Sequence, residues 1–352
     1  MALIIPRRLR DKVWPEPLPP LTSFEGQTVL LTGATGGLGL AAAVHFATLG
    51  GKVIMTARNL SQSDSVRDYV EQHAGIVGQG KIHIMELDMS QYSSCVSFVE
   101  QLKQSEAGRT GIDVAVLNAG VINVDFVRSP EGWEQTIQVN ALSTTLLGLL
   151  LIQWMSQTSK NSILAPHLIF VTSRDHLDPN ITTWPEWSSQ EGLLQHFSDE
   201  RNWPSGGFDP NYANSKLLLT YAVEEICKRA VGPNGTVDVI VNTVCPGLVY
   251  TDLGRSIAKM SRLMQLLVPI HTGILGKSAD YGARFYVKAA RTSKHEHGKY
   301  IQSLFTDEEY RSLAIPNLMT DTAMKVKALV WNEIITELKE KVPALRDLKD
   351  IS

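Results

Sequence analysis

The sequence predicts a doubly wound α/β fold, a parallel sheet covered on both faces by helices. Short β-branched runs alternate with longer helical patterns over most of the chain. The runs are almost continuously apolar, as strands buried on both faces are. A glycine-rich turn follows the first run and opens the first helix, the arrangement of nucleotide-binding α/β sheets. The apolar runs lie at 28–31, 52–57, 82–87, 112–117, 167–172 and 237–244, and the helical patterns near 38–49, 62–73, 91–106, 131–158 and 211–230.

The 352 residues would allow two domains on length alone, but no linker or change of composition divides 25–305. That stretch reads as a single domain between an N-terminal arm, 1–24, and a C-terminal helical extension, 306–352. An insertion at 174–210, with Trp184, Trp187 and Trp203, is too long for an ordinary connection. Residues 253–277, rich in Met, Leu and Ile, read as an adaptable lid over an apolar substrate, or as a face for a second subunit or a lipid surface. In the extension, Met324, Leu329, Trp331, Ile335 and Leu338 fall near one helical face, with Asp321 as cap and Pro343 as stop.

A formal net charge of −3, with no basic stripe, excludes nucleic acid as the expected partner. Cys95, Cys227 and Cys245 cannot all pair and lack metal-ligand spacing, which points to a reducing, cytoplasmic setting and to no metal site. The apolar start of the chain is too short for a secretory signal. The most apolar stretch, 142–155, falls short of a bilayer span and reads as a buried helix. Peripheral membrane contact and homo-oligomerisation both stay open.

The first turn runs Thr32-Gly33-Ala34-Thr35-Gly36-Gly37-Leu38-Gly39 between strand and helix. Glycines let the backbone approach a diphosphate, whose charge the helix N-terminus stabilises. No acidic residue ends the second strand to accept a ribose diol. Arg58 stands there instead, suited to a 2′-phosphate, so NADP(H) is expected, with NAD(H) as the alternative. Asp88, after the third strand, is either an adenine contact or a helix cap.

Tyr212 alone among nine tyrosines has a lysine, Lys216, four residues on, which puts both on one helical face. An ammonium beside a phenol favours phenolate and makes the hydroxyl able to exchange a proton with an alcohol or carbonyl oxygen. Chance produces about 0.4 such pairs in a chain of this composition, so the spacing counts only with partners.

Those partners exist. Thr32-Gly33-xxx-Gly37-x-Gly39, Asn118-Ala119-Gly120, Asn140, Ser173, Tyr212-xxx-Lys216 and Pro246-Gly247 occur in the order of the short-chain dehydrogenase/reductase family, which the chain resembles over roughly 25–305. Thr56-Ala57-Arg58-Asn59, Glu86-Leu87-Asp88-Met89-Ser90 and the long insertion are most similar to its retinol-dehydrogenase-like branch and to reductases of fungal secondary-metabolite pathways. The resemblance implies that Tyr212 is the general acid/base, Ser173 positions the substrate oxygen, Lys216 holds the ribose hydroxyls beside Tyr212, and Asn140 anchors a relay water. It implies cofactor contacts from Gly33, Thr35, Gly37, Leu38 and Gly39, adenosine support from Asn118, Ala119 and Gly120, and nicotinamide contacts from Pro246, Gly247, Val249 and Thr251. Leu117 departs from the family by replacing a first asparagine, the glycine turn lacks a basic residue, and 39 positions separate Ser173 from Tyr212.

His176 reads as a surface histidine or as a pocket residue, and the three tryptophans either line a substrate site or anchor the insertion. The expected function is NADP-dependent hydride transfer between nicotinamide and a carbonyl or secondary alcohol of a hydrophobic small molecule, of polyketide, terpenoid or retinoid/steroid-like kind. The alternatives are a redox-silent nucleotide-binding module and an isomerase-type, non-redox use of the fold.

Overall fold

The computed structural model describes residues 15–158, 165–203, 211–247, 249 and 277–347. Seven strands, β1 (Thr28–Leu31), β2 (Lys52–Ala57), β3 (Ile82–Glu86), β4 (Val114–Leu117), β5 (His167–Val171), β6 (Ile240–Cys245) and β7 (Tyr300–Gln302), form one sheet in the order β3-β2-β1-β4-β5-β6-β7. Every pairing is parallel. The chain winds outward through β2 and β3, then returns to lay β4 beside β1. A crevice opens at the carboxyl ends of those two strands, where such sheets bind ligands.

The helices are α1 (Gly37–Thr48), α2 (Ser63–Ala74), α3 (Tyr92–Gln104), α4 (Gln135–Thr158), α5 (Trp184–Gln190), α6 (Leu193–Phe197), α7 (Asn211–Arg229), α8 (Ala279–Ala289), α9 (Asp307–Ala314) and α10 (Asp321–Lys341). The period-2 geometry of strands divides the core into two layers. Val29, Leu31, Val114, Val116, Ile169 and Val171 point to the face covered by α1 and α8. Leu30, Ala115, Leu117, Leu168 and Phe170 point to the face covered by α3, α4, α7 and α10. Helix α4 is long and apolar enough to cross a membrane, but 89% of its most apolar window is buried here, as expected for a core helix.

Three expectations change. The sixth strand begins at Ile240, because Val231 and Val237 pair across a tight turn instead of extending the strand. β7 is three residues long, too short to stand out as an apolar run. In α10 the buried face is Ala323, Val326, Val330, Ile334, Ile335 and Leu338, Met324 is 56% exposed, and the cap is Thr320, whose hydroxyl accepts the amide of Ala323. Branched residues at i, i+4 spacing won the contact with the core over unbranched methionine.

The described part of the insertion, 174–203, is held by residues far away. Glu333 of α10 accepts hydrogen bonds from Ser188 Oγ (2.7 Å) and from the amides of Leu193 (2.9 Å) and Leu194 (3.0 Å). A carboxylate from another element thus satisfies the open amides at the start of α6. Because Ile334 is fully buried among the helices and Met324 is not, Ile334→Ala should destabilise the chain by about 2–5 kcal/mol and Met324→Ala by under about 0.5 kcal/mol. Urea denaturation of the two variants checks this assignment of the face, and the opposite ranking would reject it.

Candidate active site

Each of the expected residues within the described part of the chain lies at the carboxyl edge of the sheet or on a helix beginning there. Gly33 has φ +63° and sits so close to the β4 loop that a Cβ would lie 2.9 Å from Ala119 Cα. At Gly39, in the first turn of α1, a Cβ would lie 2.6 Å from the Gly33 carbonyl oxygen. No larger residue fits either position without moving the backbone. Thr56 Oγ1 accepts the Gly33 amide (3.2 Å), and Thr32 Oγ1 accepts the amides of Asn118 (2.9 Å) and Ala119 (3.0 Å). Asn118 donates through Nδ2 to the carbonyls of Thr32 (2.9 Å) and Gly33 (3.1 Å), while its Oδ1 accepts from the Tyr286 hydroxyl (2.8 Å). The glycine turn is therefore braced from below by an asparagine whose polar atoms are all engaged.

The cap of α1 is Gly36, which offers no side-chain acceptor to the first-turn amides, and Thr35 and Gly33 are exposed. This helix N-terminus has glycine at its cap and first position and no side-chain acceptor on its amides, the chemistry a dinucleotide diphosphate requires, so the residues fit that group. Arg58 is exposed at the end of β2, near enough to Asp88 to help lower the pKa of that carboxyl. Burial alone would raise it, but hydrogen bonds from Ser90 and Gln91 outweigh burial. Both Asp88 oxygens are occupied, Oδ1 by Ser90 N and Oγ and Oδ2 by Gln91 Nε2, in a turn that ends before α3, whose first amide, that of Tyr92, donates to Glu131 instead, so Asp88 is not the helix cap.

Lys216 lies 5% exposed, its Nζ donating to the Val171 carbonyl at the end of β5 (3.1 Å) and standing 5.6 Å from the centre of the Tyr212 ring. Burial pushes its pKa down to about 8, a fall that Cys245 and Asp175 oppose. A Cβ on Gly120 would come within 3.2 Å of Asn140 Oδ1 and 3.7 Å of Lys216 Nζ, so the β4 loop, α4 and α7 meet here. Asn140 occupies a π-helical stretch, Gln138–Ser143, where it pairs with Val121 in both directions (2.9 Å each) and donates to Ser215 Oγ (3.1 Å). Such widened turns recur at functional sites because they re-aim side chains. Ser173 follows β5, half-buried, and its Oγ accepts the Asp175 amide (3.3 Å).

Pro246 and Gly247, the latter with φ +82°, follow β6, and Val249 bridges to Lys277. Thr251 and the 253–276 portion of the expected lid lie outside the described residues. His176 is fully buried, not on the surface. In His295-Glu296-His297, Glu296 caps its own turn, and His297 accepts the Val241 amide and bonds the Cys227 carbonyl, leaving that ring engaged by main chain.

The tryptophans anchor the insertion. Trp184 packs edge-on to Phe197, Trp187 stacks on His196 at 3.9 Å, and Trp203 meets Phe126 edge-on, while all three indoles also line a cavity of about 260 Å³ with Asn211 and Asn214. At 100° per residue, Asn211 and Asn214 face away from Tyr212 and Lys216, so this cavity is separate from the crevice. No local motif marks Glu134. Fully buried, its carboxylate caps α4 through the amides of Thr136 and Ile137 and accepts from Asn211 Nδ2 (3.2 Å), fixing where α7 starts.

A profile of the family described as short chain dehydrogenase matches residues 27–184. The chain is 32% identical over 335 residues to the short-chain dehydrogenase/reductase ffsI of Aspergillus flavipes, covering 94% of this chain and 92% of that protein. It is 32% identical to the short-chain dehydrogenase/reductase phmF of Phaeosphaeria nodorum, covering 92% and 89%. Both relatives are fungal, in line with the fungal reductase branch of the resemblance. Among solved structures, the RhlG/NADP active-site complex of Pseudomonas aeruginosa aligns with a TM-score of 0.59 at 18% identity, covering 81% of this chain and 97% of that one. The 3-oxoacyl-[acyl-carrier protein] reductase of Brucella melitensis in complex with NAD aligns with a TM-score of 0.57 at 19% identity, covering 80% and 96%. At those identities the likeness shows the fold, while the near-full-length relatives show more: the chain belongs to the short-chain dehydrogenase/reductase family.

Proposed function

We propose that the chain is an NADP(H)-dependent oxidoreductase acting on a carbonyl or secondary alcohol of a hydrophobic small molecule, of the kind made in fungal secondary metabolism, such as a polyketide or terpenoid, or a retinoid/steroid-like compound. The observation that carries this reading is the buried Lys216 ammonium against the Tyr212 ring, beside the crevice that the glycine turn opens. Residues 25–305 form the catalytic unit and 306–352 its extension. Unpaired Cys95, Cys227 and Cys245 suit a cytoplasmic protein.

The open amides of Gly37 and Leu38, with Gly33, Thr35 and Gly39 around them, would hold the diphosphate. Arg58 would take the 2′-phosphate, and Asp88 would border the adenine. Asn118 would act by holding the turn, and Ala119 and Gly120 by leaving room. Pro246, Gly247, Val249 and Thr251 would flank the nicotinamide, which when bound supplies or accepts the hydride. In the reductive direction Ser173 Oγ donates a hydrogen bond to the substrate oxygen and Tyr212 delivers the proton to it. Lys216 holds the ribose hydroxyls and lowers the cost of the phenolate left behind. Asn140 has its side chain committed to Val121 and Ser215, so it would anchor a relay water through its main chain.

Tyr212→Phe should cut turnover of NADPH with ketones by about 10²–10⁴-fold while NADPH still quenches tryptophan fluorescence. Turnover near wild type would refute the assignment, whereas product formed without any change in cofactor absorbance would mark a non-redox use of the site. Arg58→Ala should weaken NADPH by about 10-fold or more and leave NADH unmoved, since removing one charge-assisted pair costs about 1.5–3 kcal/mol. Equal weakening of both would remove the argument for NADP(H).

Lys216 offers a pH-based check on the cofactor-free chain. The native lysine releases its proton near pH 8 and the unfolded one near 10.5, so in that window the unfolded chain binds more protons. The contribution of this group to stability therefore rises with pH, by on the order of 3 kcal/mol. Lys216→Met lacks the dependence, and urea denaturation at pH 7 and pH 10 should show the wild type gaining on the variant. A constant difference would mean that the ammonium is not desolvated.

A further inference from the structure

We propose that His176 and Tyr310 are positioning residues for Ser173, and that the C-terminal extension thereby sets the geometry between Ser173 and Tyr212. This rests on the reading of those two residues given above. His176 lies on the single turn Arg174–Leu177 directly after Ser173, and its Nδ1 is 2.6 Å from the Ser173 carbonyl oxygen. A carbonyl only accepts, so Nδ1 carries the proton and Nε2 keeps its lone pair. Nε2 is 3.1 Å from the Tyr310 hydroxyl, which therefore donates. A neutral imidazole of one tautomer satisfies both contacts, and burial, which lowers the pKa of His176, keeps it neutral.

The carbonyl of Ser173 is thus fixed by the ring, while its Oγ accepts the Asp175 amide and hydrogen-bonds the Asp175 side chain, so the turn holds both the main chain and the hydroxyl of Ser173. Tyr310 belongs to α9 of the extension, where its ring stacks on Tyr300 of β7 at 4.6 Å. A second clamp holds the same turn. Asn317, just beyond α9, donates through Nδ2 to the carbonyls of Leu177 (3.1 Å) and Pro179 (2.9 Å), and its own carbonyl accepts from the Tyr221 hydroxyl of α7 (2.6 Å). The extension therefore grips both the turn that carries Ser173 and the helix that carries Tyr212. With 38 residues of chain between the two, the covalent connection alone cannot fix their separation.

The test is a set of variants of the full chain, assayed with NADPH and the ketone that the wild type reduces fastest. His176→Leu should lower kcat by about 10–100-fold, as for a misaligned reacting group, with NADPH affinity retained. His176→Asn, whose amide can reach the same carbonyl, should restore most of that loss. Tyr310→Phe, which keeps the stacked ring and folding intact, should cost about 3–10-fold in kcat, because the outer hydrogen bond acts only through the ring. On a Ser173→Ala background neither change should cost anything further, since groups acting through one another are non-additive. Independent losses that multiply with Ser173→Ala, or wild-type kcat in both His176→Leu and Tyr310→Phe, would overturn the relay alone. Full kcat in Ser173→Ala would overturn the role of Ser173, and the relay with it. Nitrogen-15 spectra of the imidazoles need no substrate, and a His176 proton on Nε2 would also reject the relay.

Discussion

A cation held away from water is costly unless its surroundings replace the lost hydration, and the carboxyl edge of this sheet is organised around one such cation. Lys216 reaches the Val171 carbonyl only because β5 ends there and α7 passes behind it. A Cβ at Gly120 would press on Asn140 Oδ1 at 3.2 Å, and Asn140 closes the space beside Nζ by pairing with Val121. Strand order supplies the rest. By returning to β1 after β3, the chain brings the β4 loop against the glycine turn, so the lysine and the open amides of α1 border one crevice. Shifting the end of β5 by one residue would take the Val171 carbonyl away from a buried ammonium.

The start of α7 is the second constraint. It follows an insertion long enough to leave Tyr212 loosely placed, and three separate contacts remove that freedom. Glu134 caps α4 and holds Asn211, Asn211 also donates to the Phe197 carbonyl (2.7 Å), and Glu333 organises the short helices in between. Trp184, Leu193 and Phe197 then give the insertion a core continuous with that of the main sheet. Long loops cost little more to close than short ones, but ordering them needs burial and satisfied amides, and both come from α10 and α4.

The parts of this site that were legible in the sequence are those written locally. A glycine turn between strand and helix, a tyrosine and lysine one helical turn apart, and an alternation of apolar runs each declare themselves within a few residues. The bonds from Glu333 to Leu193, from Asn317 to Pro179 and from Glu134 to Asn211 join positions 140, 138 and 77 apart. Nothing in local composition announces a carboxylate that will cap another element, because its partner is defined only once the chain has folded. The burial of His176 is illegible locally for the same reason: its neighbours Arg174, Asp175 and Asp178 are polar, and the apolar cover comes from Tyr300 and Tyr310. In α10 apolar residues occupy two faces, which obscures the phase, and the half-buried Trp331 packs against the edge of the core with Arg229 4.7 Å from its ring.

The engaged state of Asn118 and Asp88 bears on how the crevice would distinguish one dinucleotide from another. Asn118 spends both ends of its amide on the turn and Tyr286, and Asp88 spends both oxygens on Ser90 and Gln91. What remains directed at a diphosphate is the main chain of the glycine turn, which attracts any phosphate equally. On the proposed NADP(H) reading, discrimination by charge would come from the rim, where Arg58 follows β2 and already acts on the Asp88 carboxylate. An exposed guanidinium gives up little hydration to meet a phosphate and can meet it with two parallel bonds. A single strand-end residue would thus set the preference of a cradle that is otherwise indifferent.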